Sequence, residues 1–288
     1  MRKEDVVNFY QNHWDFIVRF YEVDTTHCIN HGYYEKGVHT YRQAVLHMND
    51  FVGTLLGLKS SGNQAKHILD AGCGIGGTAI YLAEKYPTVT FTGITVVPEH
   101  IQQAKNLAQE HHVTGNADFQ LADFLDTGFP SNQFDAVYLI ESASYAPRKQ
   151  QLLNEMHRIL KPGGTLAIID CFRTPVQLNP LFSRFYTWFC TAWGLPNLIS
   201  LQEAKDFLKT EGFHHVVLRD LTKNVRRTIL RCDVLSTPYL FSMMMQKIFH
   251  GKNYRMDKDP RFLAAASICS TLIALKKGMT YNAVTGIK

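Results

Sequence analysis

The 288 residues predict an α/β fold, a doubly wound and largely parallel sheet, on three observations. A glycine-rich run, Gly72 to Gly77, follows directly on the apolar Ile68 and Leu69. Short apolar segments then alternate with helical patterns as far as Asp170. Polar residues close four successive apolar segments: Asp70, Thr95, Asp123 and Glu141. In open sheets of this kind ligands bind at the carboxyl ends of the strands.

Ile68 and Leu69 read as a buried strand that ends in a tight turn and hands over to a helix through Ile80, Tyr81, Leu82 and Ala83, stopped by Pro87. Gly72, Gly74, Gly76 and Gly77 let the backbone take positive φ and let a ligand approach without a Cβ in the way, and the N–H groups of the helix start face that ligand. Gly72, Gly74 and Gly77 also fit the dinucleotide fingerprint, and a plain strand-to-helix turn would look similar. Two neighbours separate these readings. Asp70 stands where a carboxylate could receive a ligand ammonium group. A dinucleotide site needs an acid for the ribose about twenty residues on, whereas Phe91 to Thr95 offers only a threonine hydroxyl.

With 45% apolar residues the chain can form one large domain with an inserted cap. Its net charge of +5 is mild and no dense Lys/Arg tract appears, so nucleic acid is not an expected partner. The cysteines are scattered without CxxC pairs and read as reduced cytoplasmic thiols, neither a disulfide frame nor a metal site. Glu4, Asp5, Asn8, Asn12, Asp15 and Arg19 argue against a signal-peptide core. Residues 181–201 are broken by Arg184, Gly194 and Pro196, and 262–275 fall short of the ~20 apolar residues of a membrane span. A soluble protein without an integral membrane segment is expected, acting on a small molecule, with homo-oligomerisation left open.

Residues 1–60 carry helical periodicity and form an N-terminal helical cap, interrupted by an irregular stretch around Thr25 to Tyr34. Tyr10, His31 and Tyr33 stand out there as candidate site walls. Residues 61–288 form the ligand-binding domain. Strands are expected at Val89 to Ile94, Ala117 to Ala122, Phe134 to Ile140, Thr165 to Asp170, Phe213 to Leu218 and Ala266 to Leu275. Helices are expected at Glu99 to His111, Gln150 to Leu160 and Leu201 to Glu211. Insertions at 174–200 and 221–262 break the alternation and are too long for simple loops. They carry Tyr186, Trp188 and Trp193, and Arg226, Arg227 and Arg231, and read as a cap above the strand ends.

Residues 66–172 resemble the S-adenosylmethionine-dependent methyltransferases of Rossmann-like fold. Asp70-Ala-Gly-Cys-Gly-Ile-Gly-Gly77 is similar to their nucleotide loop, and Leu160-Lys-Pro-Gly-Gly164 to the turn before their fifth strand. The resemblance implies a seven-stranded, mostly parallel sheet with the last strand antiparallel. It implies that Asp70 and the glycine loop hold the methionine end of the cofactor, that the end of the second strand meets the ribose, and that Asp123 and Phe124 frame the adenine. The second strand ends in Thr95 instead of the usual acid, a departure found in the branch acting on tocopherols, sterols and prenyl diphosphates. The glutamine which that branch often carries a few residues on falls at His100.

Ile140-Glu-Ser-Ala-Ser-Tyr-Ala-Pro147 resembles the corresponding stretches of sterol and prenyl-diphosphate methyltransferases. In the latter the glutamate is taken as the base, which here implies Glu141. The chemistry is coherent: an alkene attacking a sulfonium methyl becomes a carbocation, which aromatic faces stabilise and a carboxylate deprotonates. Glu141, Tyr145 and His31 are the catalytic candidates, with Tyr10 and Tyr33 beside the cofactor. Tyr186, Trp188 and Trp193 are candidates for the substrate wall, and Arg226, Arg227 and Arg231 for a diphosphate, which would bring Mg²⁺. Plainer roles compete: packing for the aromatics, a solvated face for the arginines, a loop hydrogen bond for Glu141. C-methylation of an isoprenoid is the first expectation. N- or O-methylation of a small metabolite is the second, and a non-catalytic binding protein the third.

Overall fold

The computed structural model describes residues 3–59, 65–251, 259, 261–275 and 277–288. The expected cap–core boundary at 60–61 lies outside the described residues, as do residues 252–258 and 260 of the second insertion. A seven-stranded sheet has the order β3-β2-β1-β4-β5-β7-β6. Strands β1 (Lys66–Ala71), β2 (Val89–Thr95), β3 (Ala117–Leu121), β4 (Phe134–Ile140) and β5 (Leu160–Arg173) run parallel. Strand β7 (Met279–Ile287) runs antiparallel between β5 and β6 (His214–Asp220). This is the Rossmann-like methyltransferase sheet that the resemblance implies.

Ile68, Leu69, Val137, Tyr138 and Leu139 are fully buried, as a parallel sheet covered on both faces requires. Each such side chain contributes roughly 1.5–3 kcal/mol relative to exposure. On one face lie α4 (Gly77–Lys85), α5 (Pro98–Glu110) and α3 (Tyr41–Leu55). Pro98 opens α5, where its missing N–H leaves nothing unpaired, and a Thr40–Gln43 capping box opens α3. On the other face lie α6 (Lys149–Ile159) and α8 (Leu201–Thr210), the latter opened by a Ser200–Glu203 capping box. The strand order reverses between β1 and β4, so the ligand crevice opens there.

One expectation is overturned. Residues 266–275 are not a strand but part of helix α10 (Phe262–Leu275), and the seventh strand follows at 279–287. Residues 262–275 are apolar nearly throughout, so neither a two- nor a 3.6-residue period stands out, and a buried strand and a buried helix look alike. Helix α10 joins α1 (Lys3–Tyr21), α2 (Val23–Thr26), α7 (Pro180–Ala192) and α9 (Thr222–His250) in a separate layer. Phe9, Ile17 and Phe20 of α1 share an apolar cluster with Cys232 and Met243 of α9 and Leu263 of α10. Phe189 of α7 packs with Cys269 of α10 and Met279 of β7.

Candidate active site

A cleft enclosing about 1020 Å³ opens at the ends of β1, β2 and β4. Asp70, Gly72, Gly74, Thr95, Asp123, Phe124, Glu141 and Tyr145 line it, and Tyr10 closes it from α1. The glycine loop is shaped by close approach. Gly72 sits at φ +101°, and a Cβ there would fall 2.4 Å from that of Ser142. A Cβ on Gly77 would lie 2.0 Å from the carbonyl oxygen of His27. The N–H groups of Gly72 and Cys73 both donate to the Ile94 carbonyl at 2.9 Å, tying the loop to β2.

Asp70 is buried at the head of this cleft and accepts a 2.8 Å hydrogen bond from the Tyr138 hydroxyl. Burial pushes its carboxyl up to about 7, with the Tyr138 bond pulling the other way. A cation at this position would restore its ionisation. The Thr95 hydroxyl accepts from the Val97 N–H at 3.3 Å, and Asp123 accepts from the Leu125 N–H at 2.9 Å. His100 lines the cleft against Tyr10 and Trp14, and burial lowers its imidazole to about 4, so it is neutral.

A second cavity, of about 800 Å³, shares Tyr10, Ile29, Glu141 and Tyr145 with the first. Its far walls are Tyr21, Phe189, Trp193, Ile229, Cys232 and Met279, drawn from α1, α7, α9 and β7. His31 and Asp170 also face it. Glu141 stands where the two spaces meet, with φ 50°, a left-handed conformation that costs a non-glycine residue of order 1 kcal/mol. Its carboxylate is held in return. Oε1 accepts from the His31 N–H at 2.6 Å and the Tyr281 hydroxyl at 2.8 Å, and Oε2 lies 2.9 Å from His31 Nδ1.

Burial alone would raise the Glu141 carboxyl, but the His31 charge and these hydrogen bonds outweigh it and hold it below the usual range. Burial would lower the His31 imidazole, and Glu141 raises it by more. Each thus favours the charged form of the other. Asp170 is the second acid here. Burial pushes it up to about 6, although Ser144 Oγ donates to it at 2.5 Å and the Ser144 and Cys171 N–H groups donate at 2.9 and 2.7 Å.

The structure gathers Asp70, Gly72, Gly74, Gly77, Thr95, Asp123, Phe124, Tyr10, Glu141 and Tyr145 at the first space, and His31 and Trp193 at the second. Seven predicted residues fall elsewhere. Tyr33 stacks on Phe51 and donates to Glu35, so it belongs to the packing beside α3. Gly76 faces Phe119, whose ring a Cβ would meet at 2.6 Å. The Tyr186 hydroxyl donates to Asn197, and Trp188 packs beneath the Arg184 guanidinium. Arg226 and Arg227 are exposed on the outer side of α9, Arg227 over the Tyr34 ring, and neither lines the cavity. Arg231 is paired with Glu22 at 2.5 Å.

Tyr281, Asp170 and Tyr21 were not foreseen as site residues. Asp170 at least ends a predicted strand as Glu141 does, whereas Tyr281 lies in a strand placed wrongly from sequence and Tyr21 is one aromatic among several on α1. Among the described residues no group of three or more His, Cys, Asp or Glu side chains could hold a metal ion. The inward groups are compatible with S-adenosylmethionine: a buried carboxylate that an ammonium group would complement, a glycine-rich loop, and Asp123 and Phe124 in the same cleft.

Residues 63–224 match the methyltransferase domain family. Sterol 24-C-methyltransferase erg-4 of Neurospora crassa is 28% identical over 224 residues, covering 76% of this chain and 58% of that protein. A probable chloroplastic tocopherol O-methyltransferase of Oryza sativa subsp. japonica is 28% identical over 207 residues, 68% of this chain and 57% of its own. The chain thus spans less than two thirds of these relatives' length. Among solved structures, a geranyl diphosphate methyltransferase in complex with GPP and sinefungin superposes with a TM-score of 0.74 at 16% identity, covering 99% of this chain and 98% of its own, a likeness of fold. By the match across residues 63–224, the chain belongs to the methyltransferase domain family.

Proposed function

We propose that this protein transfers the methyl group of S-adenosylmethionine to an alkene carbon of an uncharged, isoprenoid-like acceptor held in the second cavity. The observation that carries this reading is an ionised carboxylate, Glu141, in a cavity walled by Tyr10, Tyr21, Tyr145, Phe189 and Trp193. Asp70 and the glycine loop would hold the methionyl end of the cofactor, and Asp123 with Phe124 the adenine. When bound, the cofactor supplies an electrophilic methyl group. The alkene π pair forms the new carbon–carbon bond as the methyl–sulfur pair returns to sulfur, and a carbocation is left on the neighbouring acceptor carbon. Aromatic faces stabilise such a cation and keep water from it. Glu141 then takes a proton from the adjoining carbon and the alkene is restored. Its low basicity is no obstacle, because a carbocation is a strong acid.

His31 favours the ionised form of Glu141, and Glu141 favours the protonated form of His31, so His31 would serve as a charge partner. The inward acids Glu141 and Asp170 would repel a diphosphate, and the arginines expected to clamp one stand outside. Asp170 favours a second reading, N-methylation of an apolar amine, because a carboxyl near neutrality could take the proton that such an amine sheds. Comparing turnover of an isoprenoid with that of its diphosphate ester tests the charge rule. Faster reaction of the diphosphate would overturn it.

A further inference from the structure

The outer face of α9 carries a feature that methyl transfer does not use. At 100° per residue, Leu230, Val234, Phe241, Met244 and Ile248 fall on one side of this helix. They are exposed by 45, 72, 65, 53 and 71%. Val225, Thr228, Cys232, Ser236 and Met243 occupy the opposite side and are buried. The helix is therefore apolar on two faces, one turned to the protein and one to the outside. Continuing the outer stripe toward the N-terminus, Lys223, Arg226 and Arg227 fall on the same side and are exposed, whereas Lys247 and His250 fall on the opposite side. An exposed contiguous apolar stripe marks an interaction surface.

We propose that this face of α9 docks on an anionic lipid bilayer, the helix lying in the interface plane with Phe241 and Ile248 in the acyl boundary and Lys223, Arg226 and Arg227 on the headgroups. Charge selects this occupant over a second copy of the chain. An antiparallel pairing of two such helices about Thr237 would set Arg226 and Arg227 against the apolar end of the stripe at Ile248, and a parallel pairing would set arginine against arginine. Neither arrangement offers these cations a counter-charge, whereas an anionic surface does. An apolar stripe continued by a basic cluster fits a helix lying at an anionic lipid interface. The opposite side of the same helix contributes Ile229 and Cys232 to the acceptor cavity, so docking would bring that cavity's wall to the membrane surface. The proposal does not depend on which acceptor atom is methylated.

Flotation of the full chain with vesicles tests it. Wild type should float with phosphatidylcholine–phosphatidylglycerol vesicles and much less with phosphatidylcholine alone, and 0.5 M salt should weaken the association. A Phe241→Asp/Ile248→Asp double variant should lose flotation, and Arg226→Glu/Arg227→Glu should reduce it by roughly tenfold. Thermal melting and S-adenosylmethionine binding, both unchanged, would show that the variants remain folded. Flotation of the Phe241/Ile248 variant at the wild-type level would overturn the proposal. So would wild type that stays unbound, or a wild-type dimer in light scattering that the same two substitutions dissociate.

Discussion

Glu141 and His31, separated by 110 positions in the chain, meet at 2.9 Å at the junction of the two cavities and fix each other's charge. The His31 backbone N–H adds a second bond to the same carboxylate, so the irregular segment before α3 is pinned to the end of β4 by both its main chain and its ring. Glu141→Gln should leave cofactor affinity within a few-fold and lower turnover by at least about a hundredfold, the usual scale of a lost proton acceptor. An amine acceptor would tolerate the change far better. Near-full turnover in the Gln variant would remove Glu141 from the mechanism.

The same pair predicts a pH window for stability. Glu141 has a depressed value in the fold, so its contribution is present above the ordinary glutamate value and is lost as pH falls through the depressed one. His31 has a raised value, so its contribution is present below the ordinary histidine value and is lost as pH rises through the raised one. Wild type should therefore exceed Glu141→Gln in melting temperature most between these limits. The gap should narrow on both sides, and a gap independent of pH would contradict the ionic pair.

Tyr281 is a positioning residue with a distinct signature. Its hydroxyl stabilises the Glu141 carboxylate, so Tyr281→Phe should raise that carboxyl and move the acid limb of the rate profile to higher pH. The cost in kcat should be modest, of the order of one charged hydrogen bond, about 1.5–3 kcal/mol at most. A packing role alone would change stability and leave the limb in place.

If Asp70 receives the cofactor's ammonium group as proposed, it sets the pH dependence of cofactor binding. With its carboxyl at about 7 in the free protein, affinity should be full at pH 8 and fall as pH drops below 7, because the proton must be released first. Isothermal titration across pH 5.5–8.5 measures this. Asp70→Asn should abolish the dependence along with most of the affinity.

The aromatic residues of the first insertion should divide. Trp193→Ala should raise the acceptor KM with cofactor affinity unchanged, because Trp193 lines the second cavity. Trp188→Ala should reduce stability alone, because that ring packs between α7 and its neighbours and beneath Arg184. Equal kinetic effects would contradict the division.

The sheet and the cleft at its strand ends were legible because their signals are local. A glycine loop after an apolar strand, and polar residues ending successive strands, each sit within a few residues of the chemistry they report. Asp70, Asp123 and Glu141 were legible for this reason. The cap was not. Tyr281 reaches Glu141 from 140 positions away, and nothing in its own strand announces that contact. Residues 262–275 conceal their helix because they are apolar on every side, and the arginines of α9 signalled an anion without indicating which way they pointed. Tyr33 failed for the opposite reason: an aromatic at a plausible place found its partner in Phe51, inside the core.

The most direct test of the central claim is the fate of a labelled methyl group. The protein would be incubated with methyl-deuterated S-adenosylmethionine and a panel of sterols, quinols, free prenols, prenyl diphosphates and apolar amines, and the products mapped by mass spectrometry and NMR. The account predicts one label per turnover, on carbon, in an uncharged isoprenoid, with the product alkene one proton short of the cation. Label found only on nitrogen or oxygen, or only in a diphosphate, would contradict it.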